Sequence, residues 1–178
     1  MKPCYVAVEK FSPADGQVWE NYIRWSGISQ LTEVVSLDGC LCRPILDEFI
    51  TEDFEHICKG QYLSEFFQDL DYLLRRVHSK NGIQILAVVR EPISEAGGLL
   101  QDDRFEFFGY DLLEDDTRIS ALTNCGGFGK AFANSELSSV GLIQNLARAK
   151  ETQKSLMINY PEEAHAQTAI WALWRMKS

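Results

Sequence analysis

Residues 62–92 read YLSEFFQDLDYLLRRVHSKNGIQILAVVREP, and two periodicities follow one another within them. Leu63, Phe66, Phe67, Leu70, Leu73, Leu74 and Val77 recur at steps of three and four, which predicts a helix over 62–79 with one apolar face. Glu65, Asp69 and Asp71 fall early and Arg75, Arg76 and His78 fall late, the order that suits the helix dipole. Asn81-Gly82 stops the helix. Ile83 to Val89 is then a short run rich in β-branched residues, closed by Glu91-Pro92, and it predicts a central strand.

Toward the N-terminus, Tyr5 to Val8 has strand character. Ser12, with Pro13 in the first turn and Asp15 close behind, opens a helix through Val18, Trp19, Tyr22 and Ile23 to Gly27. Residues 31–37 predict a strand closed at Asp38-Gly39, and Thr51 opens a short acidic helical turn through Asp53, Phe54 and Glu55.

Toward the C-terminus, Phe105 to Leu113 and Arg118 to Thr123 predict a β-hairpin joined through Glu114, Asp115, Asp116 and Thr117. Ser135 opens a long helix to about Leu156, at a cost of about 1 kcal/mol for Gly141 relative to alanine. Ala169 to Met176 is so rich in aromatic residues that a last strand is favoured over a helix, after a helical turn at Pro161 to Glu163.

Helices and strands therefore come in an irregular order. The expected fold is α+β, a mostly antiparallel sheet packed with two or three helices in one domain over 1–178.

The chain carries 17 Lys and Arg against 26 Asp and Glu, a net charge of -9. That balance excludes a phosphate-gripping surface, so no nucleic-acid partner is expected, and it favours a basic protein instead. No run of about 18 apolar residues is present, so no membrane span is expected and the chain reads as cytoplasmic. The five cysteines, Cys4, Cys40, Cys42, Cys58 and Cys125, are expected to be reduced thiols.

The segment RISALTNCGGFGK, 118–130, is the strongest chemical signal. A strand-like run stops at Asn124-Cys125, and three glycines follow within four residues. A thiol presented there is a candidate nucleophile, with the Gly126 and Gly127 amides as oxyanion donors and His165, oriented by Asn124 or Glu163, as base. The plainer alternative is a buried cysteine at a glycine turn. A phosphate loop is excluded, because Asn124 stands where glycine is needed and Ala131 where a hydroxyl is needed.

Cys40, Cys42, His56 and Cys58 have donor types that zinc accepts, but only one residue separates the members of each half, so no metal is expected. Asp111, Glu114, Asp115 and Asp116 lack the order of a calcium loop. No cofactor is expected.

The first expectation for function is a small binding or inhibitory module for a basic protein, such as an immunity protein against a nuclease toxin. Asp47, Glu48, Glu52, Asp53 and Glu55 form its contact surface, joined by Glu114, Asp115 and Asp116, with partly exposed Trp and Tyr rings as anchors. A cysteine-dependent hydrolase or transferase built on Cys125, His165 and Asn124 is the alternative. Oligomeric state is left open by the sequence.

Overall fold

The computed structural model describes residues 2–59, 65–95, 99–124 and 128–177. Four antiparallel strands, β1 (Cys4–Glu9), β2 (Ile83–Arg90), β3 (Phe105–Glu114) and β4 (Thr168–Met176), form one sheet in the order β1-β2-β4-β3. The helices are α1 (Gln17–Ser26), α2 (Arg43–Leu46), α3 (Asp53–His56), α4 (Leu70–Val77) and α5 (Leu146–Asn159). The fold is α+β as expected. Among the described residues no helix is long and apolar enough to cross a membrane.

β4 is the aromatic strand that the sequence favours, and it lies between β2 and β3. Side chains alternate across a strand, so Trp171 packs on Phe66 at 5.0 Å between ring centres while Trp174 packs on Phe107 at 5.5 Å across the other face. The Ser12 start is also present. Its hydroxyl accepts from the Ala14 N–H and its own N–H donates to Asp15, a capping box that opens a 3-10 turn before α1.

Of the helix expected over 62–79, residues 62–64 lie outside the described residues and 65–69 are not helical. Asp69 accepts the Tyr72 N–H at 3.0 Å and caps α4 at Leu70. Phe66 and Phe67 are buried, but in extended backbone: Phe67 and Tyr5 exchange two hydrogen bonds of 2.7 Å along the outer edge of β1. Apolar spacing alone does not separate a buried extended segment from a helix face.

Residues 31–37 form no strand. Val34 makes a single bridge to Phe11, and the Val35 N–H goes to the Val140 carbonyl. The second arm of the expected hairpin is likewise reduced to one bridge, Leu113 to Ser120. The helix expected from Ser135 begins only at Leu146, capped by Asn145. Gly141 lies in the turn before it at φ +86, where an added Cβ would stand 2.5 Å from Thr123 Cγ2. Its glycine serves a close approach, so the helix penalty assigned to it does not apply.

Cys4 and Cys58 form a disulfide with Cα atoms 6.3 Å apart, which corrects the expectation of five reduced thiols. The bridge at Phe67 explains the pairing. Phe67 sits between Tyr5 and Ile57, and the Cys58 N–H donates to the Phe66 carbonyl at 2.6 Å, so the two cysteines come alongside.

Candidate functional site

Three segments distant in sequence meet beside β3 around two buried carboxylates. Asp111, on β3, accepts from Ser36 Oγ at 2.7 Å, the Leu37 N–H at 3.0 Å, Ser120 Oγ at 2.6 Å and the Leu112 N–H at 2.9 Å. Burial pushes the Asp111 carboxyl above its ordinary value, and its hydrogen bonds to Ser120, Ser36 and Leu37 only partly oppose this. Asp38 accepts from the N–H groups of Cys40 and Ser120, both at 2.9 Å, and from Asn124 Nδ2 at 2.8 Å. Ser36 joins the two carboxylates, since its hydroxyl donates to Asp111 and accepts the Asp38 N–H. Satisfying a buried carboxylate with several N–H and O–H donors fixes the surrounding backbone.

The network places Asn124, the last described residue before the glycine run, with its side chain on Asp38. Cys125, Gly126 and Gly127 lie outside the described residues, so the expected nucleophile and oxyanion donors are not placed. The Asn124 amide donates Nδ2 to Asp38.

Glu114 stands against His165. His165 stands in a 3-10 turn, Ala164–Ala166, with Nδ1 on Glu114 Oε1 and its ring edge-on to Phe128 at 4.5 Å between centres. Glu114 is 2% exposed and also accepts from the Thr117 hydroxyl, which corrects its assignment to the contact surface. Burial lowers the affinity of the His165 imidazole for its proton. Strand alternation held a signal for this pair: Glu114 shares a face of β3 with Tyr110 and Leu112, both fully buried.

Asp53 also leaves the expected surface. It is fully buried, accepting from Arg76 Nε at 2.8 Å, Tyr72 Oη at 2.7 Å and the Ile50 N–H at 2.9 Å. Burial raises its carboxyl, but the bonds from Arg76, Ile50 and Tyr72 outweigh burial and the net shift is down. Asp47, Glu48, Glu52 and Glu55 are exposed around it. Asp47 pairs with Arg43 and Glu48 with Lys80, while Glu52 and Glu55 make no ion pair among the described residues. Between them Phe54 is 62% exposed and Ile50 44% exposed. On the hairpin, Asp115 and Asp116 are exposed, and Asp115 pairs with Arg90 at 2.6 Å.

The four weighed zinc donors are dispersed. Cys58 is in the disulfide, the Cys42 thiol is buried against the Leu37 carbonyl, His56 stacks on Tyr72 at 3.7 Å, and Cys40 is exposed. Among the described residues no group of three or more His, Cys, Asp or Glu side chains is placed to hold a metal ion.

Comparison of the chain with protein-family models, with curated proteins and with solved structures finds no match.

Proposed function

We propose that the protein is a non-catalytic binding module that docks a basic protein segment on the ridge 47–55, in an inhibitory role. The observation that carries the reading is Phe54, an exposed ring on α3 flanked by the exposed carboxylates of Glu52 and Glu55. An exposed aromatic with an apolar neighbour supplies the anchor that concentrates binding energy. Carboxylates at its rim accelerate encounter with a cationic partner and disfavour anionic ones. The ridge is also rigid beneath, because the Asp53, Arg76 and Tyr72 bonds pin α3 to α4. A surface ordered before binding loses less entropy on docking.

Affinity capture with wild type, Phe54→Ala and the double variant Glu52→Lys, Glu55→Lys identifies a basic protein retained by the first and lost by both others. With that protein purified, the charge reversal slows association about tenfold or more at low salt and flattens its salt dependence. Phe54→Ala speeds dissociation. Equal association rates for wild type and the charge reversal would remove this surface.

A second reading is supported by His165. A base held at Nδ1 by a buried carboxylate, on a ring three residues from Cys125 in sequence, is the oriented half of a thiol-activating pair. On this reading Cys125 is the nucleophile, His165 the base, Glu114 the orienting group, and Gly126 and Gly127 the oxyanion donors of a hydrolase or transferase. Alkylation kinetics of Cys125, followed by peptide mapping, decide it. Fast reaction at neutral pH that is lost in His165→Ala supports the reading, and an inert thiol ends it.

A further inference from the structure

A cavity of about 320 Å³ opens between α1 and the 34–41 segment, away from the residues assigned above to the docking ridge. Its walls are Phe11, Val18, Tyr22, Val34 and Leu41. Phe11 is fixed by edge-on contacts to Trp19 at 5.2 Å and Tyr22 at 5.1 Å, so the apolar wall is held open by packing. Val18, 65% exposed, stands at the mouth one helical turn before Tyr22.

The polar end of the cavity is formed by Asp38, Cys40, Thr123 and Asn124. Each group there is already committed in a way that dictates what it can still do. A carboxylate only accepts, so the Asn124 amide must present Nδ2 to Asp38, and Oδ1 is left as an acceptor. The Tyr22 hydroxyl donates its proton to the Thr123 carbonyl at 2.8 Å, so its oxygen has only lone pairs to offer. The oxygens of Asp38 are filled by three N–H donors and by the Cys40 thiol. The end of the cavity is therefore acceptor-rich and negative, while its walls are apolar.

The geometry points to a binding site for a small neutral molecule with an apolar body and one hydroxyl group, whose proton is received by Asn124 Oδ1 or Tyr22 Oη. A carboxylate ligand would face the Asp38 carboxylate, a repulsive arrangement. An ammonium would bring three donors to a carboxylate whose oxygens are already occupied, leaving protons unsatisfied in apolar surroundings. A hydroxyl supplies one donor and no charge. The volume suits a fused bicyclic or similar small body, at the lower end of ligand cavities.

The test uses three probes of one shape, 2-naphthol, 2-methoxynaphthalene and 2-naphthoate, titrated by calorimetry into the intact protein. Saturable one-to-one binding of 2-naphthol is expected, weakened about tenfold for the methoxy analogue that lacks the donor and further for the carboxylate. Saturating 2-naphthol should slow maleimide labelling of Cys40. Val18→Trp and Cys40→Trp, both at exposed positions, should fill the cavity and abolish binding while the thermal transition stays in place. Absence of saturable 2-naphthol binding, equal or tighter binding of 2-naphthoate, or binding that survives both tryptophan variants would each overturn the proposal.

Discussion

Asn124 Nδ2 donates to Asp38 Oδ2 at 2.8 Å, a bond between residues 86 apart in sequence that ties the start of the glycine run to the segment leading into α2. Because Asp38 also holds the Cys40 and Ser120 N–H groups, the two partners are unequal. Asp38→Ala strands two backbone donors and should cost about 2–4 kcal/mol, whereas Asn124→Ala removes one bond and should cost about 1 kcal/mol. Urea unfolding of both variants measures the difference, and equal losses would mean that the backbone bonds to Asp38 contribute little.

Acid should test the ridge through Asp53. Its folded carboxyl lies below its ordinary value of 3.8, so its contribution is present above that value and is lost as pH falls through the folded value. Asp53→Asn leaves the Arg76 guanidinium without its charge partner and should cost about 3 kcal/mol at neutral pH. The variant should also lose less stability than wild type between pH 5 and the acid limit. Parallel melting curves of the two proteins across that range would refute the assignment.

The Cys4–Cys58 bond closes a loop with a sequence separation of 54, which in the chain-entropy account stabilises the fold by about 4 kcal/mol. Reduction by dithiothreitol, or the pair Cys4→Ser, Cys58→Ser, should lower the urea midpoint accordingly. Intact mass of protein taken directly from cells under acid quench reports whether the bond exists there, and so tests the cytoplasmic expectation, since that compartment keeps such thiols reduced.

Cys40 should behave as a sluggish thiol. Burial of its surroundings and a hydrogen bond to Asp38 push it up to about 12. Its thiolate fraction, and with it the alkylation rate, should then rise about tenfold per pH unit from pH 7 to 10 with no plateau. A plateau near pH 9 would show a thiol of ordinary acidity.

Local signals in the sequence led to the right elements wherever the deciding interaction is local. Ser12-Pro13-Ala14-Asp15 carries its own capping box, Asn81-Gly82 turns the chain at φ +71, and the aromatic run of β4 marks a strand buried on both faces. The errors fall where a distant partner decides. Phe66 and Phe67 have helical spacing, yet Tyr5 claims the Phe67 backbone. Asp53 looks like one more surface carboxylate until Arg76 and Tyr72 arrive from α4. Glu114 reads as part of a solvated hairpin, and only the pairing with Thr168 brings it beneath His165. The cavity left no motif because its lining comes from four separate parts of the chain: Phe11, α1, the 34–41 segment and 123–124.

The single-residue bridges along the sheet have a consequence for how partners can approach. Outside β1, Phe67 occupies both hydrogen-bonding groups of Tyr5; outside β3, Ile143 does the same for Tyr110, and the Ala121 N–H takes the Leu112 carbonyl. An open sheet edge invites extended segments of other chains to zip onto it. At these positions the margins are stapled shut, so recruitment of a fifth strand, whether from a ligand peptide or from another copy in an aggregate, must first displace native bonds. An extended partner segment would therefore have to engage side chains at these positions in place of the backbone.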